Sequence, residues 1–221
     1  MHLKKRIKYL GFTLVEILIA LGVVGIVASL VLPVVVKQYE DSQTIARVKK
    51  IYALLSNVTN QIVAEEGEIS SWDWNTGNMT IDNIVDSYKK RLPFMTSCGY
   101  NVNTCYYETK WKSSNDQSYF TYFTGGGAYY NILKDGTYMK FRKCPDAGCS
   151  SAYLSNVTSK MEIIVNINGD TPPNKAGRDI FWFYLTSEKG IIYPNTSITA
   201  YCKAQGVTCS SRILREGAIN Y

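Results

Sequence analysis

The chain has 221 residues, enough for one globular domain of moderate size once a leader and a bilayer-spanning stretch, together about 36 residues, are set aside. Its formal charge is +6, but Lys4, Lys5, Arg6 and Lys8 supply four of those charges before residue 9, so the remainder carries only +2 and nucleic-acid binding is not favoured. The only histidine is His2, and neither a Gly-x-Ser-x-Gly nor an HExxH constellation occurs; these facts argue against an enzyme and against a resident cofactor.

From Phe12 to Val36 the chain reads FTLVEILIALGVVGIVASLVLPVVV. Twenty-five helical residues at about 1.5 Å each exceed a hydrocarbon core of about 30 Å. The basic cluster before this span is expected to stay in the cytoplasm, which places the rest of the chain outside. The span is longer than the apolar core of a secretory signal, and no A-x-A-like site follows it. Glu16 lies four residues into the span, where a carboxylate would cost on the order of 2.5 to 3.5 kcal/mol near the bilayer centre. It therefore needs a partner, either within its own chain near the interface or on another chain.

The stretch KYLGFTLVEILIAL, residues 8 to 21, resembles the class III signal of type IV pilins and type II secretion pseudopilins: a basic leader, then Gly11, Phe12 and, four residues on, Glu16. The resemblance implies cleavage after Gly11 by a prepilin peptidase and methylation of the new Phe12 amine. It further implies that Glu16 pairs with the Phe12 amine of an adjacent subunit during assembly. The expected molecule is an inner-membrane precursor, single-pass with its N-terminus cytoplasmic. Once assembled it is part of a periplasmic or cell-surface filament, a homo-oligomer or a mixture with other pilins. Gly22, Gly25 and Pro33 interrupt the span, and the resemblance implies that the helix can unwind around Gly25 and Pro33 inside a filament.

Beyond Pro33 the helix is expected to continue to about Glu66, with Ile45, Val48, Tyr52, Leu55, Val58 and Ile62 forming one apolar stripe and Gly67 stopping it. The expected organisation is a leader over 1–11, a transmembrane assembly helix over 12–36, its amphipathic continuation over 37–66 and an extracytoplasmic α+β domain over 67–221. Residues 68–128 show no clear period, although 81–92 suit a short helix. Trp72, Trp74 and Trp111 fall in this region, and an alternative reading makes them the ligand contacts of an adhesin-like minor pilin. From Tyr129 the pattern turns strand-like: YYNIL, a KDG turn and TYMKF form a hairpin, followed by MEIIVNI at 161–167 and IFWFYL at 180–185. Four strands in an antiparallel meander laid on the long helix give a pilin-like α+β fold.

Six cysteines form three close pairs: Cys98 with Cys105, Cys144 with Cys149, and Cys202 with Cys209. Neighbour pairing as disulfides is favoured, because each pair closes a short local loop. Zinc is the rival, although it usually wants a tighter knuckle or histidines. Residues 163–185, IIVNINGDTPPNKAGRDIFWFYL, resemble a pseudopilin sheet segment through Asn168, Gly169, Pro173, Asn174, Gly177 and Asp179. Asn166, Asn168, Asp170, Asn174 and Asp179 suit a hydrogen-bonded turn, with calcium at Asp170 and Asp179 as the weaker alternative. The C-terminal RILREGAINY also resembles pseudopilin ends, which implies a terminal strand returning to the sheet.

Overall fold

The structure is a computed structural model, and it describes residues 11–74, 81–100, 111–116, 119–120, 127–145, 149, 158–194 and 199–221. The basic leader residues Lys4, Lys5, Arg6 and Lys8 and the cysteine Cys105 lie outside them. The chain divides into two compact units, residues 1–41 and 42–221.

In the first unit the main element is the opening of α1 (Leu14–Glu66), a single helix of 53 residues. Its apolar stretch is long enough to cross a membrane, and none of that stretch is buried within the chain. Phe12, Leu14 and Leu30 are 81%, 77% and 70% exposed, although these are residue types that normally leave water. The helix runs unbroken through Gly25 and Pro33. Pro33 has no N–H to donate to the preceding turn, so the ladder has one bond fewer there.

In the second unit α1 buries Val48, Ile51, Leu55, Val58 and Ile62. Ile51 belongs to this stripe although the sequence reading passed over it, and Ile45 and Tyr52 sit at its margins, half-buried. Gly67, at φ +89°, takes the left-handed conformation that ends a helix, and its N–H still donates to Val63 O at 3.0 Å. A short 3-10 turn, Ile69–Ser71, and α2 (Asp82–Arg91) follow. Tyr88 of α2 is buried between α1 and the sheet, sharing a hydrogen bond with Thr59 and tilting against Phe141.

Among the described residues eight strands follow: β1 (Phe94–Tyr100), β2 (Trp111–Lys112), β3 (Tyr119–Phe120), β4 (Ala128–Leu133), β5 (Tyr138–Lys143), β6 (Ser159–Asn166), β7 (Ile180–Thr186) and β8 (Gly190–Ile192). Among the described residues, six make one antiparallel sheet in the order β1-β4-β5-β6-β7-β8, and β2 pairs with β3 separately. The expected four-strand meander is β4 to β7, and the correction is one further strand at each edge. β1 escaped notice because it has no alternation and carries two register shifts, and β8 is only three residues long. The β4–β5 hairpin turns at Lys134, Asp135 and Gly136 as its sequence requires. Gly136 sits at φ +82°, and Leu133 both donates to Thr137 O and accepts from Gly136 N–H, each at 2.9 Å.

Both faces of the sheet are covered. Tyr129, Leu133, Met139, Phe141, Met161, Ile163, Val165, Phe181, Phe183 and Leu185 join α1 and α2 in one core. The alternate residues Ala128, Tyr130, Ile164, Ile180, Trp182 and Tyr184 form a second core with Cys98, Trp111, Ala176 and Val207. This double burial explains why β7 reads IFWFYLT with no polar alternation: every one of its residues is buried.

The C-terminus departs from the expected returning strand. Residues Thr199–Gln205 form α3 and Cys209–Glu216 form α4, which ends at Gly217 with φ +65° and Gly217 N–H donating to Ile213 O at 3.0 Å. RILREG favours a helix because Ile213 is the buried apolar residue of one face, while Arg212 and Glu216, one turn apart, pair at 3.2 Å across the other.

Candidate functional site

Gly11, Phe12 and Thr13 precede the first helical residue, so the Gly11–Phe12 peptide bond lies in exposed, non-helical backbone. Thr13 and Glu16 then form a reciprocal cap. Thr13 N–H donates to Glu16 Oε2 at 2.8 Å and Thr13 Oγ1–H donates to the same oxygen at 2.9 Å, while Glu16 N–H donates to Thr13 Oγ1 at 3.2 Å. Two amides of the first turn, which have no intrahelical acceptor, are thereby satisfied. The carboxylate also sits at the positive end of the peptide dipoles. The signal for this was present as T-x-x-E, and it assigns Thr13 a role that the sequence reading did not. Glu16 thus has an in-chain partner that holds it at the start of α1.

A family model for the prokaryotic N-terminal methylation motif matches residues 6–32. The chain carries the type IV pilin and pseudopilin signal. The match takes in residues 12–32 of the apolar span, Glu16 included, and stops short of the globular unit. No curated protein and no solved structure matches the chain. The prepilin-type signal and the apolar helix together support a membrane-anchored precursor.

The described cysteines of the globular unit are disulfide-bonded. Cys144–Cys149 and Cys202–Cys209 are disulfides with Cα separations of 4.7 and 4.8 Å. Cys98 is also disulfide-bonded, and Cys105, the partner expected from sequence, lies outside the described residues. Cys202–Cys209 joins α3 to the start of α4 under close backbone packing. A Cβ at Gly177 (φ +80°) would lie 2.7 Å from Cys209 Sγ, and one at Gly206 (φ +86°) would lie 2.4 Å from the Ala176 carbonyl carbon. Tyr221 hydroxyl donates to Gly177 O and closes the other side.

The turn from Asn166 to Asp179 is held by its own side chains. Asn166 Nδ2 donates to Gly169 O at 2.6 Å and to Asn174 Oδ1 at 3.0 Å, and Asn168 Nδ2 donates to Thr171 O at 2.8 Å. Asp170 Oδ2 accepts from Tyr138 hydroxyl at 2.7 Å, and Asp179 Oδ2 accepts from Lys175 N–H at 3.1 Å. These bonds account for the Asn- and Asp-rich segment by the turn reading. The β2 segment straps across it: Lys112 N–H donates to Asn174 O at 3.1 Å and Ala176 N–H returns to Lys112 O at 2.9 Å. Asp116 pairs with Lys175 at 2.7 Å, an ion pair that holds the Asp116 carboxyl below its ordinary range.

The tryptophans are core residues, which corrects their reading as a ligand platform. Trp72 and Trp74 stack with centroids 6.2 Å apart and donate their indole N–H groups to Gly67 O and Ile69 O at 2.9 and 2.8 Å. Trp111 is 3% exposed in the second core. On the same sheet face as Trp111, Lys140 is buried with its ammonium 5.5 Å above the Tyr130 ring, and Glu162 bonds Arg142 at 2.6 Å. Burial, aided by the Arg142 charge, pushes Lys140 down to about 8 and outweighs the opposing pull of Glu162.

Proposed function

We propose that this chain is a structural subunit of a type IV pilus or related pseudopilus, cut after Gly11 by a prepilin peptidase, methylated at Phe12 and added to a helical filament through α1. Catalysis has no part in this reading. The observation that carries it is an apolar helix with every large side chain from Phe12 to Val36 exposed, opened by one carboxylate fixed at its start. Leaving lipid for the equivalent helices of other subunits gives that surface a permanent partner, since close van der Waals packing drives helix association where water does not. Glu16, tied through Oε2 to Thr13, offers its carboxylate to the Phe12 ammonium of a neighbouring subunit. A buried charge is tolerated only when paired, so that pair sets the axial register. Gly25 and Pro33 are the weakest points of the ladder and the place where the helix unwinds on assembly.

The globular unit faces outward from the cytoplasmic membrane, where its disulfides persist. The test is Glu16→Ala in cells making the native machine. The variant remains inserted and cleaved but enters sheared filaments poorly; wild-type incorporation would sink the mechanism.

A further inference from the structure

Within the globular unit, three basic side chains of α1 each meet a different part of the fold. Arg47 Nη1 donates to Ile167 O at 3.3 Å, where β6 runs into its turn. Lys50 pairs with Asp135 at 2.8 Å in the β4–β5 turn, beside the exposed Lys134. Lys49 Nζ lies 3.6 Å from where a Cβ on Gly217 would sit, at the end of α4, and Arg215 is exposed two residues earlier. The two turns are themselves in contact, since Tyr138 hydroxyl donates to Asp170 Oδ2 at 2.7 Å. These contacts gather Arg47, Lys49, Lys50, Lys134 and Arg215 on one rim of the unit.

Five cations against the carboxylates of Asp135 and Asp170 leave this rim at +3. Arg212 pairs with Glu216 and Lys175 with Asp116, and neither pair adds charge. The whole chain beyond residue 8 carries only +2, so everything outside the rim sums to −1 and the positive charge is gathered here. Arg47 and Lys50 also line a hollow of about 200 Å³ with Asp135 and Thr137.

We propose that this rim seats the globular unit on the anionic phospholipid headgroups of the membrane that holds α1. The proposal rests on the reading above in that residues 12–36 span the bilayer and the globular unit lies outside it. Eleven residues separate Val36 from Arg47, at most about 40 Å of fully extended chain, so the headgroups are never out of reach. Tethering keeps them at high effective concentration, so weak contacts suffice. Charge then selects the face. The potential of a charged surface decays over about 8 Å at physiological salt, so only the side chains laid directly against it count. Each Lys or Arg so placed strengthens attachment about fivefold. A guanidinium such as that of Arg47 suits phosphate oxygens, which it binds in pairs. Lys50 is not withheld by Asp135, because an ion pair with side chains 63% and 43% exposed contributes little.

Lysine acetylation of the full chain, read residue by residue by peptide mass spectrometry, tests the seat. The chain is reconstituted into vesicles of phosphatidylcholine, alone or mixed with phosphatidylglycerol, and the reagent is membrane-impermeant, so only outward-facing units react. Lys49, Lys50 and Lys134 are expected to react about fivefold more slowly in the anionic vesicles. Lys90 and Lys189, exposed elsewhere on the unit, react equally in both. The protection disappears at about 1 M salt, where the screening length falls to about 3 Å. Combining Arg47→Glu with Lys49→Glu removes the protection of Lys134, a residue left in place, and keeps the parent rates at Lys90 and Lys189. Equal rates at the rim in the two kinds of vesicle would overturn the seat and leave the subunit reading intact. Protection in neutral and anionic vesicles alike, or only in sheared fibres, would assign the rim to contacts between proteins and overturn it as well. A chain that alkaline carbonate strips from the vesicles would overturn both, since α1 would then not span the bilayer.

Discussion

Three glycines at nearly the same backbone conformation give a graded test of how the C-terminal staple is packed. Gly136, Gly177 and Gly206 have φ of +82°, +80° and +86°, so an alanine at any of them meets the left-handed penalty of about 1–2 kcal/mol. They differ in what the new methyl would touch. At Gly136 nothing lies within 4 Å, so Gly136→Ala should lose about 1–2 kcal/mol and no more. At Gly177 the methyl meets Cys209 Sγ at 2.7 Å and Cys209 Cβ at 3.2 Å, and overpacking adds about 1–3 kcal/mol. At Gly206 it meets the carbonyl carbon, oxygen and Cβ of Ala176 between 2.4 and 2.6 Å, and main chain cannot rotate away as a side chain can. Gly206→Ala should be the worst of the three, at the upper end of that range or unfolded. Urea unfolding of the oxidised chain in mild detergent, followed by tryptophan fluorescence, gives the order directly. Equal losses at all three positions would refute the packing argument and leave backbone strain as the whole effect.

Leu55→Ala should lose about 2–5 kcal/mol in the same assay, because Leu55 is fully buried between α1 and the sheet; a loss under 1 kcal/mol would mean that the helix does not dock there. Thr13→Ala should reduce entry into sheared fibres less than Glu16→Ala, since the residue 13 amide still donates to Glu16 Oε2 when the hydroxyl is gone; equal defects would contradict this ranking. Lys140, with its folded pKa lowered from 10.5 to about 8, destabilises the fold fully below pH 8, and the penalty is relieved as pH rises towards 10.5, where the unfolded chain also loses the proton. Lys140→Met should therefore raise stability at pH 7 and flatten the rise between pH 8 and 10; an unchanged slope would show that Lys140 is not held in a low-dielectric site.

The parts legible in the sequence were those governed by local rules. The KDG turn dictates its hairpin, Gly67 ends α1, and the T-x-x-E of Thr13 and Glu16 is a capping signature even though its apolar setting drew notice only to the carboxylate. Double burial concealed more. Covering both faces of β6 and β7 removes the alternation that assigns strand faces, which hides the second core and the place of Trp111 in it. β1, with two register shifts, and β8, with three residues, derive their pairing from neighbours rather than from their own pattern. The resemblance to pseudopilin ends implied a strand where α4 stands, because the spacing of Arg212, Ile213 and Glu216 suits a helix turn that the resemblance overrode.

The central claim is that the molecule working in the filament begins at a methylated Phe12. Intact-mass and N-terminal peptide analysis of the chain from its native membrane and from sheared fibres, with and without reduction, addresses it most directly. The account predicts an N-methylated Phe12 terminus and a gain of six hydrogens on reduction, one for each cysteine. A chain that keeps Met1 in cells with an active prepilin peptidase would contradict it and leave α1 a plain membrane anchor.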